Sequence, residues 1–352
     1  MLEAIVVAGG VGSRLRPLTD RRPKHLLPVG GVPFVAHLIA KLAGCGVQRV
    51  LLATSYRAEE FRPVLGDGAA FGLRLEYVRE AEPRGTAGAL RNAGDRLEAG
   101  TDDPVIALNG DILSNHDIAA QLARHRASGA DATLHLVEVD DARAFGYVPT
   151  DTDDRVQAFI EKSPDPVSRQ VNAGCYVLRR GLLATIPSGR AVSVERETFP
   201  GLLAAGAFFL GHLESSYWLD VGTPSALVRA SRDLVRGVAT SPAYGAPPGD
   251  RRLLPGCTVD PTAVVRDGSV VQPGARIAAN AVVEGSVVMD HAVVDESAVV
   301  RRSVVGSHAS VGRRTLLDQA VVGDGAVVGD RCELIAGARV RCDAHVGAGA
   351  IR

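Results

Sequence analysis

Glycines 9, 10 and 12 fall in the run Val7-Ala8-Gly9-Gly10-Val11-Gly12-Ser13-Arg14-Leu15, immediately after a short apolar stretch. Without Cβ atoms, a loop at these positions can bring its backbone close to an anion, and the exposed N–H groups from Ala8 to Ser13 form a nest of donors for phosphate. Arg14 adds a planar guanidinium suited to phosphate oxygens. No Gly-Lys-Ser/Thr follows, as in a P-loop, and the Gly-x-Gly-x-x-Gly dinucleotide pattern is absent. Taken alone, such a glycine turn is equally a plain tight turn.

The loop must be held by the elements around it. Ala4–Val7, Val50–Ala53 and Val105–Leu108 read as buried strands, because each is a short continuous apolar run. Between the first two, Phe34, Val35, Leu38, Ile39 and Leu42 recur at helical spacing, and a helical stretch from Asp117 to Arg126 follows the third. Strand, helix, strand in that order predicts right-handed βαβ units and a largely parallel sheet. Ala132–Val139, Val156–Ile160 and Val171–Leu178 read as strands with less helix between them, so the sheet is expected to become mixed there. Thr223-Pro224 predicts the start of a last helix carrying Leu227, Val228, Leu234 and Val235. The Pro- and Gly-rich stretch 239–255 reads as a linker, which separates a domain 1–238 from a domain 256–352.

The second domain has a different period. Aliphatic residues step by six through Val259, Val265, Val271, Ile277, Val283 and Met289. After a slip they continue through Val299, Val305, Val311 and Leu317, and after another through Val322, Val328, Leu334, Val340 and Val346. A six-residue repeat with small residues between predicts a parallel β-helix, one inward aliphatic per side. At roughly 18 residues per coil this gives about five coils.

Composition narrows the function. Lys+Arg at 39 balances Asp+Glu at 40, so no global basic field exists to hold nucleic acid. No apolar run approaches the roughly 20 residues of a membrane span, and Met1-Leu2-Glu3 lacks the basic start of a signal peptide. Five cysteines form no Cys-x-x-Cys pair, which points to reducing cytoplasm.

The glycine loop continues into Arg16-Pro17-Leu18-Thr19 and then Pro23-Lys24-His25-Leu26-Leu27-Pro28-Val29. Together these blocks resemble the sugar-nucleotide pyrophosphorylases, whose pattern is Gly-Gly-x-Gly-Ser/Thr-Arg-Leu-x-Pro-Leu-Thr followed by Pro-Lys-x-Leu-x-Pro-Val. The resemblance implies an α/β fold: a Rossmann-like, mixed or parallel sheet forming a nucleotidyltransferase domain, with a C-terminal left-handed parallel β-helix. It also implies nucleotide binding by Ala8, Gly9, Gly10, Gly12, Ser13, Arg14, Lys24, Gly85, Thr86, Asn109 and Asp111. Sugar contacts fall on Gly146, Glu161, Lys162, Asn172, Ala173 and Gly174, and Arg14, Lys24 and Lys162 are the catalytic cations. Asp111 and Asp220 become metal ligands, and two hard carboxylates suit Mg²⁺ beside substrate phosphates. Outside that context Asp111 is an ordinary turn residue, Asp220 a helix cap, and Lys24 and Lys162 solvated lysines.

The segment Glu82-Pro83-Arg84-Gly85-Thr86-Ala87-Gly88-Ala89-Leu90 resembles the base-reading loop of mannose-1-phosphate guanylyltransferases, with Arg84 where Leu is usual. The expected substrates are therefore GTP and a sugar 1-phosphate, mannose 1-phosphate first. A heptose or cyclitol 1-phosphate, thymidylyl or uridylyl transfer, and a non-catalytic sugar-nucleotide sensor are the alternatives. His25 is expected to be structural or to line the site, since a phosphate nucleophile needs no base. His291, His308 and His345 lie in a β-helix expected to serve structure or assembly and not acyl transfer. Its exposed coils suggest a homo-oligomer.

Overall fold

The computed structural model describes residues 1–80, 82–160 and 168–351. The chain folds as two compact units, each built from separate stretches of sequence. One takes 1–10 and 38–218, the other 11–37 and 219–352.

The first unit is built on a seven-stranded sheet. Its strand order is Phe209–Leu213, Ala132–Glu138, Gln170–Arg179, Pro104–Asn109, Glu3–Val7, Arg49–Thr54, Arg74–Arg79. Glu3–Val7 pairs in parallel with both Arg49–Thr54 and Pro104–Asn109, and Val7 is in register with Ala53 on one side and Asn109 on the other. All six residues of Arg49–Thr54 are buried, as expected for a strand covered on both faces. Gln170–Arg179 runs antiparallel to both neighbours, so the sheet is mixed, as its weaker helical interruptions suggested.

Val156–Ile160 is not a strand. Only isolated bridges form there, Thr150 with Val156 and Tyr147 with Ile160, because Tyr147 also pairs with Val171 and no continuous ladder is left. The helix expected from Asp117 runs over Ile118–Ser128, with the Asp117 carboxylate capping Ala120 N–H at 3.0 Å.

In the second unit, helix Pro224–Val235 begins as its sequence predicts, with Thr223 accepting from Ala226 N–H at 3.2 Å. Beyond it stand three parallel ladders of six, six and five short strands. The first rung is Arg251–Leu253, paired with Ser269–Val271, so the solenoid opens inside the segment read as a linker. Its core is one continuous stack of Val, Ile, Leu and Ala side chains, with Cys332, from Val265 to Val346.

The six-residue frame holds with a correction. The inward residues after Val283 are Val288, Val294 and Val300, not Met289 and Val299. Successive coils are spaced by 18 residues at the start, then by 17 three times, then by 18 again, so the step shortens to five once per short coil and the slip recurs earlier than the sequence suggested. Among the described residues, no helix is long and apolar enough to cross a membrane.

Candidate functional site

The strand order of the first unit reverses beside Glu3–Val7. The chain first builds outward on one side through Arg49–Thr54 and Arg74–Arg79, then returns to the other side with Pro104–Asn109. Ligands of parallel α/β sheets bind at the carboxyl ends of the strands flanking such a reversal. Val7 leads into the glycine loop and Asn109 into Gly110-Asp111. Gly110 N–H donates to Val7 O at 2.9 Å, which ties the two strand ends together, and Ala8 N–H donates to Ala53 O at 2.7 Å. Ser55 Oγ donates to Gly9 O at 2.6 Å. A Cβ on Gly9 would stand 2.8 Å from that hydroxyl, so any larger residue would have to displace the Ser55 side chain that ties the loop down. Asp111 is half-buried in the short break before Ile112–Ser114.

The expected sugar segment comes to the same end of the sheet. Asn172–Gly174 lies in the antiparallel strand beside Pro104–Asn109. Gly174 has φ +76°, and a Cβ there would meet Asn109 Nδ2 at 2.9 Å. Asn172 Oδ1 accepts from Gly174 N–H at 3.1 Å, and Trp218 Nε1–H donates to Ala173 O at 3.0 Å, which fixes the segment from two sides. Gly146 packs against the carbonyl of Ile160. Glu161 and Lys162 lie outside the described residues.

Gly85 and Thr86 begin the helix Gly85–Gly94. Gly85 has a structural reason of its own. Its φ is +69°, and a Cβ would come 2.5 Å from Val192 O.

One residue of this unit carries a signal that the sequence does not reveal. Glu80 follows the strand Arg74–Arg79, donates its N–H to Thr54 O at 2.8 Å and is 5% exposed. Its Oε1 is buried without a hydrogen-bond partner. Burial pushes its carboxyl up from the ordinary range, against the pull of the Arg84 backbone and charge. Its other oxygen lies beside Gly9. In the charged run Arg79-Glu80-Ala81-Glu82 it looks like a surface glutamate.

The second unit holds Gly12, Ser13, Arg14, Lys24 and Asp220. Gly12, at φ +69°, caps the 3-10 turn Ser13–Leu15, and Thr19 Oγ1 donates to its carbonyl at 2.9 Å. A Cβ on Gly12 would meet Lys24 Cβ at 2.9 Å, so the lysine stem crosses directly over the glycine. Arg14 Nη2 lies 3.9 Å from Asp220 Oδ2 and against Gly222, where a Cβ would be 2.4 Å away. The pair is open to water, with Arg14 66% exposed and Asp220 33%. His25 is 1% exposed inside the turn Lys24–Leu26. His291 and His308 stack at 4.9 Å on the β-helix.

A glycine loop and a carboxylate at the reversal point of a parallel sheet define a nucleotide-binding α/β protein. The chain belongs to the nucleotidyl transferase family, whose model matches residues 3–237, and the GMPPB C-terminal domain matches residues 250–346. It is 49% identical over 277 residues to the mannose-1-phosphate guanylyltransferase of Mycobacterium tuberculosis (strain ATCC 25618 / H37Rv), covering 78% of this chain and 76% of that protein. It is 34% identical over 288 residues to the probable mannose-1-phosphate guanylyltransferase 1 of Oryza sativa subsp. japonica, covering 80% and 78%.

Among solved structures it resembles HddC from Yersinia pseudotuberculosis complexed with GMP-PN. That match has TM-score 0.56 and 27% identity, over 65% of this chain and 98% of that one. A putative glucose-1-phosphate thymidylyltransferase from Bacillus anthracis matches with TM-score 0.60 and 28% identity, over 65% and 94%.

Proposed function

We propose that the protein is a sugar-1-phosphate guanylyltransferase that makes GDP-mannose and pyrophosphate from GTP and mannose 1-phosphate. The observation that carries this reading is the 49% identity to the Mycobacterium tuberculosis enzyme over most of both chains. A phosphate oxygen of mannose 1-phosphate attacks the α-phosphorus of GTP. The new P–O bond forms as the bond to the β-phosphate oxygen breaks, and pyrophosphate departs with that electron pair.

The chain's own residues position and neutralise. Backbone N–H groups from Ala8 to Ser13 receive the triphosphate, Arg14 and Lys24 offset its charge, and Lys162 holds the sugar phosphate. Glu161, Gly146 and Asn172–Gly174 line the sugar. Asp111 and Asp220 offer hard carboxylate oxygens, a donor set that fits a divalent cation of the Mg²⁺ kind sharing its shell with phosphates. Such a cation supplies charge stabilisation at the transferring phosphoryl group.

Guanine is the base this site fits. Its N1–H and 2-amino group are two adjacent donors, and the buried Glu80 carboxylate, with one oxygen unpartnered and the other beside Gly9, is a matching acceptor. The five free thiols support a cytoplasmic setting, and we place assembly into a homo-oligomer on the β-helix. The test is pyrophosphate release by the purified protein over a matrix of GTP, ATP, UTP and dTTP against mannose, glucose and heptose 1-phosphates. GTP with mannose 1-phosphate should give the highest kcat/KM, and a faster reaction with dTTP would replace the guanylyl reading.

A further inference from the structure

The loop that carries Arg14 and Lys24 contains little regular structure. Its own turn bonds use the carbonyls of Gly12, Ser13, Leu15 and Pro17, passing over those of Arg14 and Arg16. One side chain takes both. Arg339 Nη1 donates to Arg14 O at 2.9 Å and to Arg16 O at 2.6 Å. Arg339 opens the short strand Arg339–Val340, in register with Val321–Val322 of the preceding coil.

Further contacts flank it. Cys342 Sγ lies 3.5 Å from Pro17 O, and Arg21 pairs with Asp343. Arg22 Nη2 donates to Ser307 Oγ at 2.9 Å and to Asp324 Oδ2 at 2.6 Å. Those acceptors are stacked on successive coils. Ser307 N–H donates to Asp324 Oδ1 at 2.9 Å, and Ser307 Oγ donates to Asp290 Oδ1 at 2.5 Å, each 17 residues apart. The Asp324 side chain is 6% exposed, so Arg22 answers a carboxylate that water scarcely reaches.

The loop needs such an anchor. An exposed pair such as Arg14–Asp220 at 3.9 Å contributes little by itself and does not fix a backbone. Hydrogen bonds to the charged Arg339 and Arg22 are about twice as strong as neutral ones.

We propose that the β-helix coils bearing Ser307, Asp324 and Arg339 set the backbone of the phosphate-binding loop, with Arg339 as a positioning residue for the transfer reaction. The solenoid then serves catalysis as well as structure and assembly. The inference rests on the reading of Arg14 and Lys24 as phosphate-binding cations.

The test uses the full chain as wild type, Arg339→Ala, Arg339→Lys and Arg22→Gln. Steady-state pyrophosphate release is measured together with backbone hydrogen exchange over residues 11–24 and over the solenoid. Arg339→Ala should lower kcat by about 10- to 10²-fold, the scale of a misplaced catalytic group, and alter KM for mannose 1-phosphate far less. Exchange in residues 11–24 should rise while the solenoid keeps its protection. Arg339→Lys should recover part of kcat, since an ammonium still donates to carbonyls.

Wild-type kcat with unchanged loop exchange in Arg339→Ala would overturn the proposal. So would protection lost throughout the solenoid in both Arg339→Ala and Arg22→Gln, which makes these residues supports of the β-helix alone. If the wild-type protein transfers no nucleotide, the functional reading fails, and the exchange measurement still decides whether the coils hold the loop.

Discussion

Glu3 and Arg49 face each other in register on adjacent parallel strands, and Arg49 Nη1 lies 2.6 Å from Glu3 Oε1 with neither side chain more than 5% exposed. The other Glu3 oxygen accepts from the N–H groups of Glu98 at 2.9 Å and Ala99 at 2.6 Å. Arg49 also grips Glu76 with two nitrogens, at 3.0 and 2.9 Å, and that bond holds the Glu76 carboxyl below its ordinary range. Arg49→Met leaves a buried carboxylate facing no cation, so unfolding free energy should fall by about 3–5 kcal/mol. The double variant Glu3→Met with Arg49→Met should regain a large part of that, because no charge remains stranded. Urea midpoints of the wild type and the two variants decide it, and equal losses for the single and double variants would refute it.

A second prediction concerns acid. His135 is buried with both ring nitrogens unpartnered and stacked 3.6 Å from His116, with His212, Lys41 and Glu214 around the pair. Burial, reinforced by His116 and His212, pushes His135 down to about 2. Burial likewise lowers His37 to about 4, against its bond to Val29. In the unfolded chain both rings titrate near 6.5, so between that pH and the folded values the unfolded state binds more protons. Stability should therefore be complete above pH 6.5 and fall as pH drops, by up to about 1.4 kcal/mol per pH unit for each ring. His135→Leu should flatten the slope between pH 6.5 and 4 and leave stability at pH 8 equal or higher, since it removes unpaired polar groups. Denaturation midpoints across pH 4–8 measure this, and an unchanged slope would remove His135 from the account.

What the sequence made legible follows from periodicity. Arg49–Thr54 and Pro104–Asn109 are apolar because both faces are covered, so they read plainly as strands. The β-helix read plainly too, but its frame slipped at Met289, where the first five-residue step falls, and again at Val299, because valines come in doublets. In Val282-Val283, Val293-Val294 and Val299-Val300 the second residue points inward and the first is only half-covered. A period of six cannot choose between neighbours that are both valine. Glycines 9, 12 and 174 were found by type, and their close contacts with Ser55, Lys24 and Asn109 explain why. Arg22 and Arg339 could not be found, since their partners lie 302 and 325 residues away and nothing local marks them.

The proposed cation ligands and phosphate cations give separable outcomes. Asp111→Asn and Asp220→Asn should each lower kcat by roughly 10²-fold or more and raise the Mg²⁺ concentration needed for half-maximal rate. Asp220→Asn also removes the charge facing Arg14 at 3.9 Å, so its thermal midpoint reports whether that exposed pair matters, and little change is expected. Lys162→Ala should raise KM for mannose 1-phosphate more than for GTP, whereas Lys24→Ala should act chiefly on GTP. Full turnover of Asp111→Asn in excess EDTA would remove the metal from the reading, and a reversed KM pattern would exchange the two lysines.

The last prediction separates the base from the rest of the nucleotide. Glu80 is 5% exposed with Oε1 unpartnered, and a carboxylate so placed gains most from a ligand with two donors side by side. Guanine offers N1–H and the 2-amino group, hypoxanthine keeps only N1–H, and adenine offers no N1–H at all. The wild-type order of kcat/KM should therefore be GTP, then ITP, then ATP, with about tenfold between the first two for one charged hydrogen bond. Glu80→Gln turns one acceptor into an amide donor that faces guanine's own donors. GTP use should drop by about 10²-fold while the step from GTP to ITP collapses, because the group that reads the 2-amino substituent is gone. Gly85→Ala provides the contrast. Its Cβ would lie 2.5 Å from Val192 O at φ +69°, so it should lower thermal stability and harm all nucleotides alike. If wild-type protein uses ITP as well as GTP, or Glu80→Gln keeps the wild-type preference, Glu80 does not read the base.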